Sequence, residues 1–377
     1  MRCRNIFYRL PTVSAMNGIL WNIMNAGLIV RSVTLDDVAA IAGVSAKTVS
    51  RVVNNDSKVS PETRKRIQKA IDQIGYLPNL AARSLATAQT KLIGLFTPPS
   101  NSHFFSQLVR TATRSCREKG YNLVIEECDI TCDSAALVYK SGLRNLRCSG
   151  IILPAILCDD MDLLDLLEVD STRYVRIAPA TQLSRAPYVT GDHAGGSTAI
   201  ARHLWSLGHR RFGMVTGIPA AASTILRRDA FIKTIIESGG SLSDFDIIEL
   251  PHLLDENQGP APLSLVDAGR LAGQILLKKS QRPSAIYTYN DDLAAGIIIQ
   301  AHNMGISVPE QLSIAGFDDS DIAQLCWPAL TTARQPISEI AMQAVEILTS
   351  SPCIPHQAIV CSTELVIRQS TGAVGKD

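Results

Sequence analysis

Much that would mark a catalyst is missing from these 377 residues. There is no G-x-S-x-G nucleophile elbow, no P-loop, no HExxH zinc motif and no dinucleotide-binding glycine fingerprint. The glycine-rich stretch Gly191-Asp-His-Ala-Gly-Gly-Ser197 fits none of them and reads as a crossover into a helix, with Asp192 as its cap. The nine cysteines contain no CxxC; Cys128 and Cys132 stand closest, with no histidine or second pair near enough for a zinc site. They read as reduced thiols buried as small hydrophobes. Neither a metal nor a cofactor is expected. After Arg368 the sequence reads Gln-Ser-Thr-Gly-Ala-Val-Gly-Lys-Asp, which carries no heptad pattern.

An excess of charge is also absent. The formal net charge is +1, with 46% hydrophobic and 19% charged residues, as in folded rather than disordered protein. That balance conceals a polarity along the chain. Residues 31 to 91 hold ten Lys and Arg against five acids; residues 1 to 30 add Arg2, Arg4 and Arg9 with no acid, which leaves the remainder at −7. A basic head on an acidic body suits a nucleic-acid-docking module joined to one that is not itself a DNA surface. A chain of 377 residues exceeds one ordinary core, so two or three domains are expected.

The segment Thr34-Leu-Asp-Asp-Val-Ala-Ala-Ile-Ala-Gly-Val-Ser-Ala-Lys-Thr-Val-Ser-Arg-Val-Val-Asn54 is the most informative. It reads as two short helices broken at Gly43, with Val44 plugging the angle between them. Val38, Ala39 and Ile41 supply the apolar face of the first, and Val49, Val52 and Val53 that of the second. Thr34 caps the first, Asp37 completes a capping box, and Ser45 caps the second. Ala46, Lys47, Ser50 and Arg51 are left facing outward. That predicts a helix-turn-helix whose second helix lies in a DNA major groove. Helical hairpins of all-α domains share the pattern; the continuation separates the two. Ser60-Pro61-Glu62 is a strong helix start, and Ile67, Ala70, Ile71 and Ile74 follow at helical spacing to a stop at Gly75. Arg64, Lys65, Arg66 and Lys69 are left to meet phosphates.

Together with Tyr76-Leu-Pro-Asn-Leu-Ala-Ala-Arg-Ser-Leu-Ala86 and Lys91-Leu-Ile-Gly-Leu95, this segment resembles the LacI/GalR (lactose-repressor) family of bacterial transcription regulators. The similarity runs from about residue 33 to about residue 371. It implies an N-terminal extension (1–31), an all-α helix-turn-helix DNA-binding domain (32–78), a hinge helix and linker (79–90), and a two-lobed α/β periplasmic-binding-protein-like effector-binding and dimerisation domain (91–377). Thr34, Ser45, Ala46, Lys47, Thr48, Ser50, Arg51 and Asn54 become the candidate DNA contacts. Arg51 is the natural bidentate reader of guanine, Lys47 can donate to guanine O6 or N7, and Ala46 offers only apolar contact. Leu80 to Ala86 is too short for a helix that is stable alone. The resemblance implies that it folds when two subunits meet on the operator, with Leu85 as a minor-groove wedge; the alternative is a linker leucine packed on its own domain. Family members begin just before the first helix, so the extension is expected to reflect a misassigned translation start, with Met24 the better candidate. Its stretch from Met16 to Val30 imitates a secretory signal, but Asn17, Asn22 and Asn25 interrupt it and no small-residue cleavage site follows.

Beyond Lys91, β-rich runs (Leu92–Phe96, Leu123–Glu126, Gly150–Leu153, Tyr174–Ile177, Phe212–Thr216, Ala285–Tyr289, Leu312–Ala315) alternate with amphipathic helices (Phe105–Lys119, Ala194–Leu207, Ser223–Glu237, Leu265–Lys279, Asp292–Met304, Ser338–Leu348). Such alternation predicts parallel sheets covered on both faces. There are more alternations than one sheet needs, so two lobes with a cleft are expected, with ligand at the carboxyl ends of strands. Several residues fall there. Phe104 and Phe105 match positions that face the effector in the family. The family's Arg-x-x-Gly-Phe maps onto Arg227-Arg-Asp-Ala-Phe231 with Ala230 replacing Gly, which makes Arg227 the candidate effector arginine and Ser223 its matching hydroxyl. Asn290, Asp318 and Gln335 complete the set, a carboxylate and amides suited to the hydroxyls of a carbohydrate. The plainer alternatives are an Arg227–Asp229 pair, Asp318 and Asp319 as helix caps, and Phe104 and Phe105 as core.

The resemblance implies a cytoplasmic, nucleoid-associated bacterial repressor of carbohydrate-catabolism genes rather than an enzyme. A homodimer would hold near-palindromic double-stranded operator DNA, and a small sugar-like effector between the lobes would alter that hold, with no membrane involved. The rival, an exported periplasmic sugar-binding protein, rests only on the N-terminal apolar stretch.

Overall fold

The computed structural model describes residues 33–53, 56, 58–76, 90–99, 102–129, 133–250, 264–350 and 357–375. The N-terminal extension, Asn54 and Leu85 lie outside them. The chain divides into two units between residues 88 and 89.

In the first unit, α1 (Leu35–Ala42), α2 (Ala46–Val53) and α3 (Pro61–Ile74) enclose a small core of Val38, Ala39, Ala42, Val49, Val52, Ile67, Ala70 and Tyr76. Thr34 and Asp37 form the expected capping box: Asp37 N–H donates to Thr34 Oγ1 at 3.4 Å and Thr34 N–H to the Asp37 carboxylate at 2.8 Å. Gly43 and Gly75 end α1 and α3 in the left-handed region, at φ 62° and 64°. Val44 packs against the core from the turn. Two expectations need correction. Ile41 is 48% exposed, because Ala42, one turn beyond Val38, holds the buried position. Arg64 is not free for phosphate: its guanidinium donates to Asp56 O at 2.6 Å and Val52 O at 3.5 Å, fixing the chain as it leaves α2.

The second unit contains two six-stranded sheets. The first takes β1 (Leu92–Thr97), β2 (Asn122–Glu127), β3 (Gly150–Leu153), β4 (Tyr174–Ile177), β5 (Tyr188–Gly191) and β11 (Ala358–Cys361) in the order β11-β5-β4-β3-β1-β2, all parallel. The second takes β6 (Phe212–Thr216), β7 (Phe245–Glu249), β8 (Ala285–Thr288), β9 (Ser313–Asp318), β10 (Thr331–Arg334) and β12 (Glu364–Val366) in the order β12-β10-β9-β8-β6-β7. Only its edge strand β12 runs antiparallel, with Ala333 opposite Leu365. Parallel strands sheathed by helices bury both faces, which explains the continuous apolar runs of β1, β3 and β6.

The connections between strands are α4 (His103–Glu118), α5 (Ala135–Ser141), α6 (Leu143–Leu146), α7 (Met161–Val169), α8 (His193–Ser206), α9 (Ala222–Glu237), α10 (Leu265–Leu277), α11 (Asp291–Asn303), α12 (Asp321–Leu325) and α13 (Ile337–Thr349). The chain passes between lobes three times: from β5 into α8, from β10 into α13, and from β11 into β12. After the second passage, Ile337, Ile340, Ala341 and Val345 of α13 join Ile93, Leu108 and Val175 in the first lobe's core. Asp192 caps α8, its carboxylate accepting from Gly195 N–H at 2.7 Å. The cysteines among the described residues are free thiols, and Cys116, Cys128, Cys158 and Cys361 are buried. No described helix is long and apolar enough to cross a membrane.

Candidate functional site

The first candidate surface is α2. Lys47 and Arg51 stand one turn apart and are exposed, with Ala46 and Ser50 half-buried beside them. Ser45 caps the helix: its Oγ accepts from Thr48 N–H at 3.3 Å and lies 2.9 Å from Thr48 Oγ1. The Arg51 guanidinium is 3.8 Å from the Asp56 carboxylate, a loose, exposed pair that leaves the fork available. Thr34 is half-buried and its hydroxyl is committed to Asp37 at 2.7 Å.

The second is a cavity of about 390 Å³ between the two sheets of the body, within the range that holds a small ligand. All seven expected residues line it: Phe104, Phe105, Ser223, Arg227, Asn290, Asp318 and Gln335. Arg227, on the first turns of α9, is 3% exposed, and its guanidinium lies 3.6 Å above the Phe317 ring and 4.6 Å from the Tyr289 ring. Flat contact on aromatic faces suits a delocalised cation. Its Nη1 donates to Tyr289 O at 2.5 Å, its Nε and Nη2 sit 3.3 Å from His193 Nδ1, and its Nη2 is 3.5 Å from the Asp318 carboxylate. The neighbouring Arg228, not Arg227, pairs with Asp229.

Around this arginine the polar groups are fixed by mutual bonds. Gln335 Nε2 donates to Asp318 Oδ1 at 2.5 Å, and Ser223 Oγ lies 2.9 Å from Tyr289 Oη. Asn290 caps α11 through Oδ1, which accepts from Leu293 N–H at 3.1 Å, and its carboxamide nitrogen has no bond to another described residue. Asp318 caps nothing; it ends β9 at φ 110°. Burial raises its carboxyl pKa above the usual value, and the Arg227 charge works against that rise.

Two participants have no counterpart in the sequence reading. His193, 4% exposed, lines the cleft from the start of α8. Burial, and then the adjacent Arg227 charge, lower its pKa well below the usual imidazole value. It is therefore neutral, with Nδ1 accepting from Arg227 and the ring proton on Nε2. Tyr289 contributes its carbonyl, its ring and its hydroxyl; an aromatic at a strand end just before Asn290 was the available signal.

The opposite wall belongs to the first lobe and is mostly apolar. Phe104 and Phe105 meet edge to face at 5.3 Å, packing on the core with one side and lining the cleft with the other. Ile156, after β3, and Ala178, after β4, complete it, with backbones at φ 77° and 52°. The fully buried Arg176 ties their two loops together: Nε donates to Cys158 O at 2.7 Å, Nη1 to Gln182 O at 2.8 Å and Nη2 to Asp159 Oδ1 at 2.5 Å.

Known proteins share both halves of this layout. Residues 34–79 match the family described as bacterial regulatory proteins, lacI family, and residues 201–371 match a periplasmic binding protein-like domain. The HTH-type transcriptional regulator DegA of Bacillus subtilis is 31% identical over 90% of this chain and 98% of its own length. The ribose operon repressor of Escherichia coli is 29% identical over 89% of this chain and 99% of its own. The lac repressor dimer bound to operator and the anti-inducer ONPF superposes with a TM-score of 0.77 at 26% identity, covering 91% of this chain and 100% of that one. With a head and body of these geometries and such similarity along nearly its whole length, the chain belongs to the LacI family of bacterial regulatory proteins, as a DNA-binding transcriptional regulator and not an enzyme.

Proposed function

We propose that this protein is a cytoplasmic, nucleoid-associated repressor of carbohydrate-catabolism genes, working as a homodimer on a near-palindromic operator. Residues 32–78 form the DNA-binding domain, 79–90 the hinge with its Leu85 wedge, and 91–377 the effector-binding and dimerisation domain. Thr34, Ser45, Ala46, Lys47, Thr48, Ser50, Arg51 and Asn54 contact the DNA, with Arg51 and Lys47 reading bases and Lys58, Lys65, Arg66 and Lys69 on phosphates. Phe104, Phe105, Ser223, Arg227, Asn290, Asp318 and Gln335 hold a sugar-like effector.

The observation that carries this reading is the Arg227–Asp318–Gln335 cluster at strand ends inside the cleft between the lobes. Fixed donors and acceptors there match vicinal hydroxyls, and a ligand that bridges lobes joined by three crossovers binds one lobe arrangement better than another. That differential affinity alters operator binding; relief by an inducer is the expected sign. Fluorescence anisotropy on the protein's own promoter region, at fixed salt and with a panel of sugars, tests it. Tight sequence-specific binding that one sugar weakens is expected. Weak, sequence-blind retention that no sugar changes would overturn it.

A further inference from the structure

An exposed arginine that samples all its rotamers gives up much of any contact it makes as lost entropy, so a base reader gains from being oriented beforehand. Asp56, five positions beyond Arg51, is placed to do this. It is anchored through three of its own groups. Its N–H donates to Arg51 O at 2.9 Å, its carbonyl accepts from Arg64 Nη2 at 2.6 Å, and its Oδ1 accepts from Lys58 N–H at 3.0 Å. These bonds tie the residue to the end of α2, to α3 and to the turn between them. The remaining carboxylate oxygen, Oδ2, faces Arg51 Nε at 3.8 Å.

The turn alone does not explain an acid at this place. Asparagine makes the same bond to Lys58 N–H, since Asx turns take either residue. A negative charge just past the C-terminal end of α2 opposes the helix dipole. It also stands in a segment of ten basic and five acidic residues, where like charge repels the phosphates of an approaching duplex. At 3.8 Å the pair with Arg51 is too long for a hydrogen bond, and with side chains 49% and 32% exposed it adds little to stability. Its effect is on direction. The carboxylate attracts Nε, and in a planar guanidinium that fixes where the two Nη groups point. Arginine can meet O6 and N7 of guanine side-on, through Nε and one Nη, or end-on, through both Nη groups. With Nε drawn towards Asp56, the end-on pair is left for the base.

Resting on Arg51 as a base reader, we infer that Asp56 is a positioning residue for sequence recognition. Its anchored carboxylate holds the Arg51 guanidinium for an end-on contact with guanine, which sharpens base discrimination while weakening general affinity for DNA.

Selection of the full chain's preferred duplex from a random pool, followed by anisotropy titrations at fixed salt, tests this. The readout is a discrimination ratio: the Kd of a duplex substituted at the base pair that Arg51→Ala relaxes, divided by the Kd of the preferred duplex. The Kd for random-sequence DNA is measured beside it. Asp56→Asn can keep the bonds to Arg51 O, Arg64 and Lys58 and loses the charge. It is expected to lower that ratio by about threefold or more, a fraction of what a bidentate contact is worth. Ratios at other base pairs should hold, and random DNA should bind more tightly than to the parent. In an Arg51→Ala background the same substitution should leave the ratio unmoved, because the carboxylate has nothing left to orient. An unchanged ratio in Asp56→Asn overturns the proposal, as does an equal fall in the Arg51→Ala background. Equal weakening on preferred and random DNA would make Asp56 a structural residue of the turn and overturn it too. Each of these outcomes leaves Arg51 standing as the reader. If Arg51→Ala relaxes no base pair, that reading and the proposal fall together.

Discussion

At the scale of single residues, the cleft's electrostatics centre on one buried cation and the groups that share it. Arg227→Ala would leave the Asp318 carboxyl buried beside Gln335 with no opposing charge. Breaking such a pair costs about 3–5 kcal/mol, and the lower end applies because Asp318 can take up a proton. Thermal unfolding should show that loss together with loss of ligand response. Arg227→Lys should keep more of the stability but not the response, because an ammonium cannot reach Tyr289 O and His193 together; equal ligand affinity in Arg227→Lys would contradict this account. The place of Arg227 in the cleft lining was legible in the sequence through its motif even with Ala230 in place of glycine. His193 was not, because a histidine at the start of a helix carries no mark of what packs over it.

At the scale of elements, local caps explain why the head was so readable. Thr34, Ser45, Ser60 and Gly75 each act within a turn of the residues that signal them. Gly43→Ala meets no steric obstacle, since nothing lies within 4 Å of the added methyl, so its cost is that of the left-handed backbone alone, about 1–2 kcal/mol. Faster amide exchange in residues 35–53, with the body unchanged, is the expected readout; unaltered exchange would refute it. The strands that escaped the reading are mostly edges or near-edges. β7 is partly exposed along its length and β12 has three residues, so neither shows the apolar run of a central strand. β5 ends in the glycine of the crossover and was absorbed into it. The helix α7 was visible in principle, with Asp160 capping an amphipathic Met-Asp-Leu-Leu-Asp-Leu-Leu run.

The first turn of α11 carries a pH prediction. Asp291 is 1% exposed and accepts from Ser320 N–H at 2.7 Å, Ser320 Oγ at 3.1 Å and Thr332 Oγ1 at 2.6 Å, tying α11 to β10 and to the start of α12. Burial first, and then the Asp318 charge, push its pKa up to about 8. In the unfolded chain the same carboxyl ionises near pH 4. A raised folded-state pKa favours the fold at low pH, so this contribution is complete below about pH 4 and is lost as pH rises towards 8. Urea titrations from pH 5 to 8 should show Asp291→Asn with a flatter stability profile than the parent. Parallel profiles would mean that Asp291 is ionised in the fold throughout.

At the scale of the molecule, the two lobes of the body are joined by three crossovers, and these lie side by side. A Cβ placed on Gly191 would be 3.4 Å from Gln335 Oε1, 3.7 Å from Ile340 Cδ1 and 3.8 Å from Thr363 Oγ1, so one added methyl would touch the other two crossovers at ordinary contact distance. Gly191 is extended and paired with Cys361, a conformation alanine accepts. Gly191→Ala should therefore fold and gain about 0.4–1 kcal/mol through the unfolded state. Movement of one lobe on the other would have to carry that methyl past Gln335 and Thr363. It follows that the ratio of operator affinities with and without a cleft ligand should shrink, since a ligand shifts the equilibrium only by its differential affinity for two accessible states. Paired anisotropy titrations of parent and variant, with saturating ligand and without, measure that ratio. A variant that is more stable yet keeps the parental ratio would show that the lobes do not turn about this point.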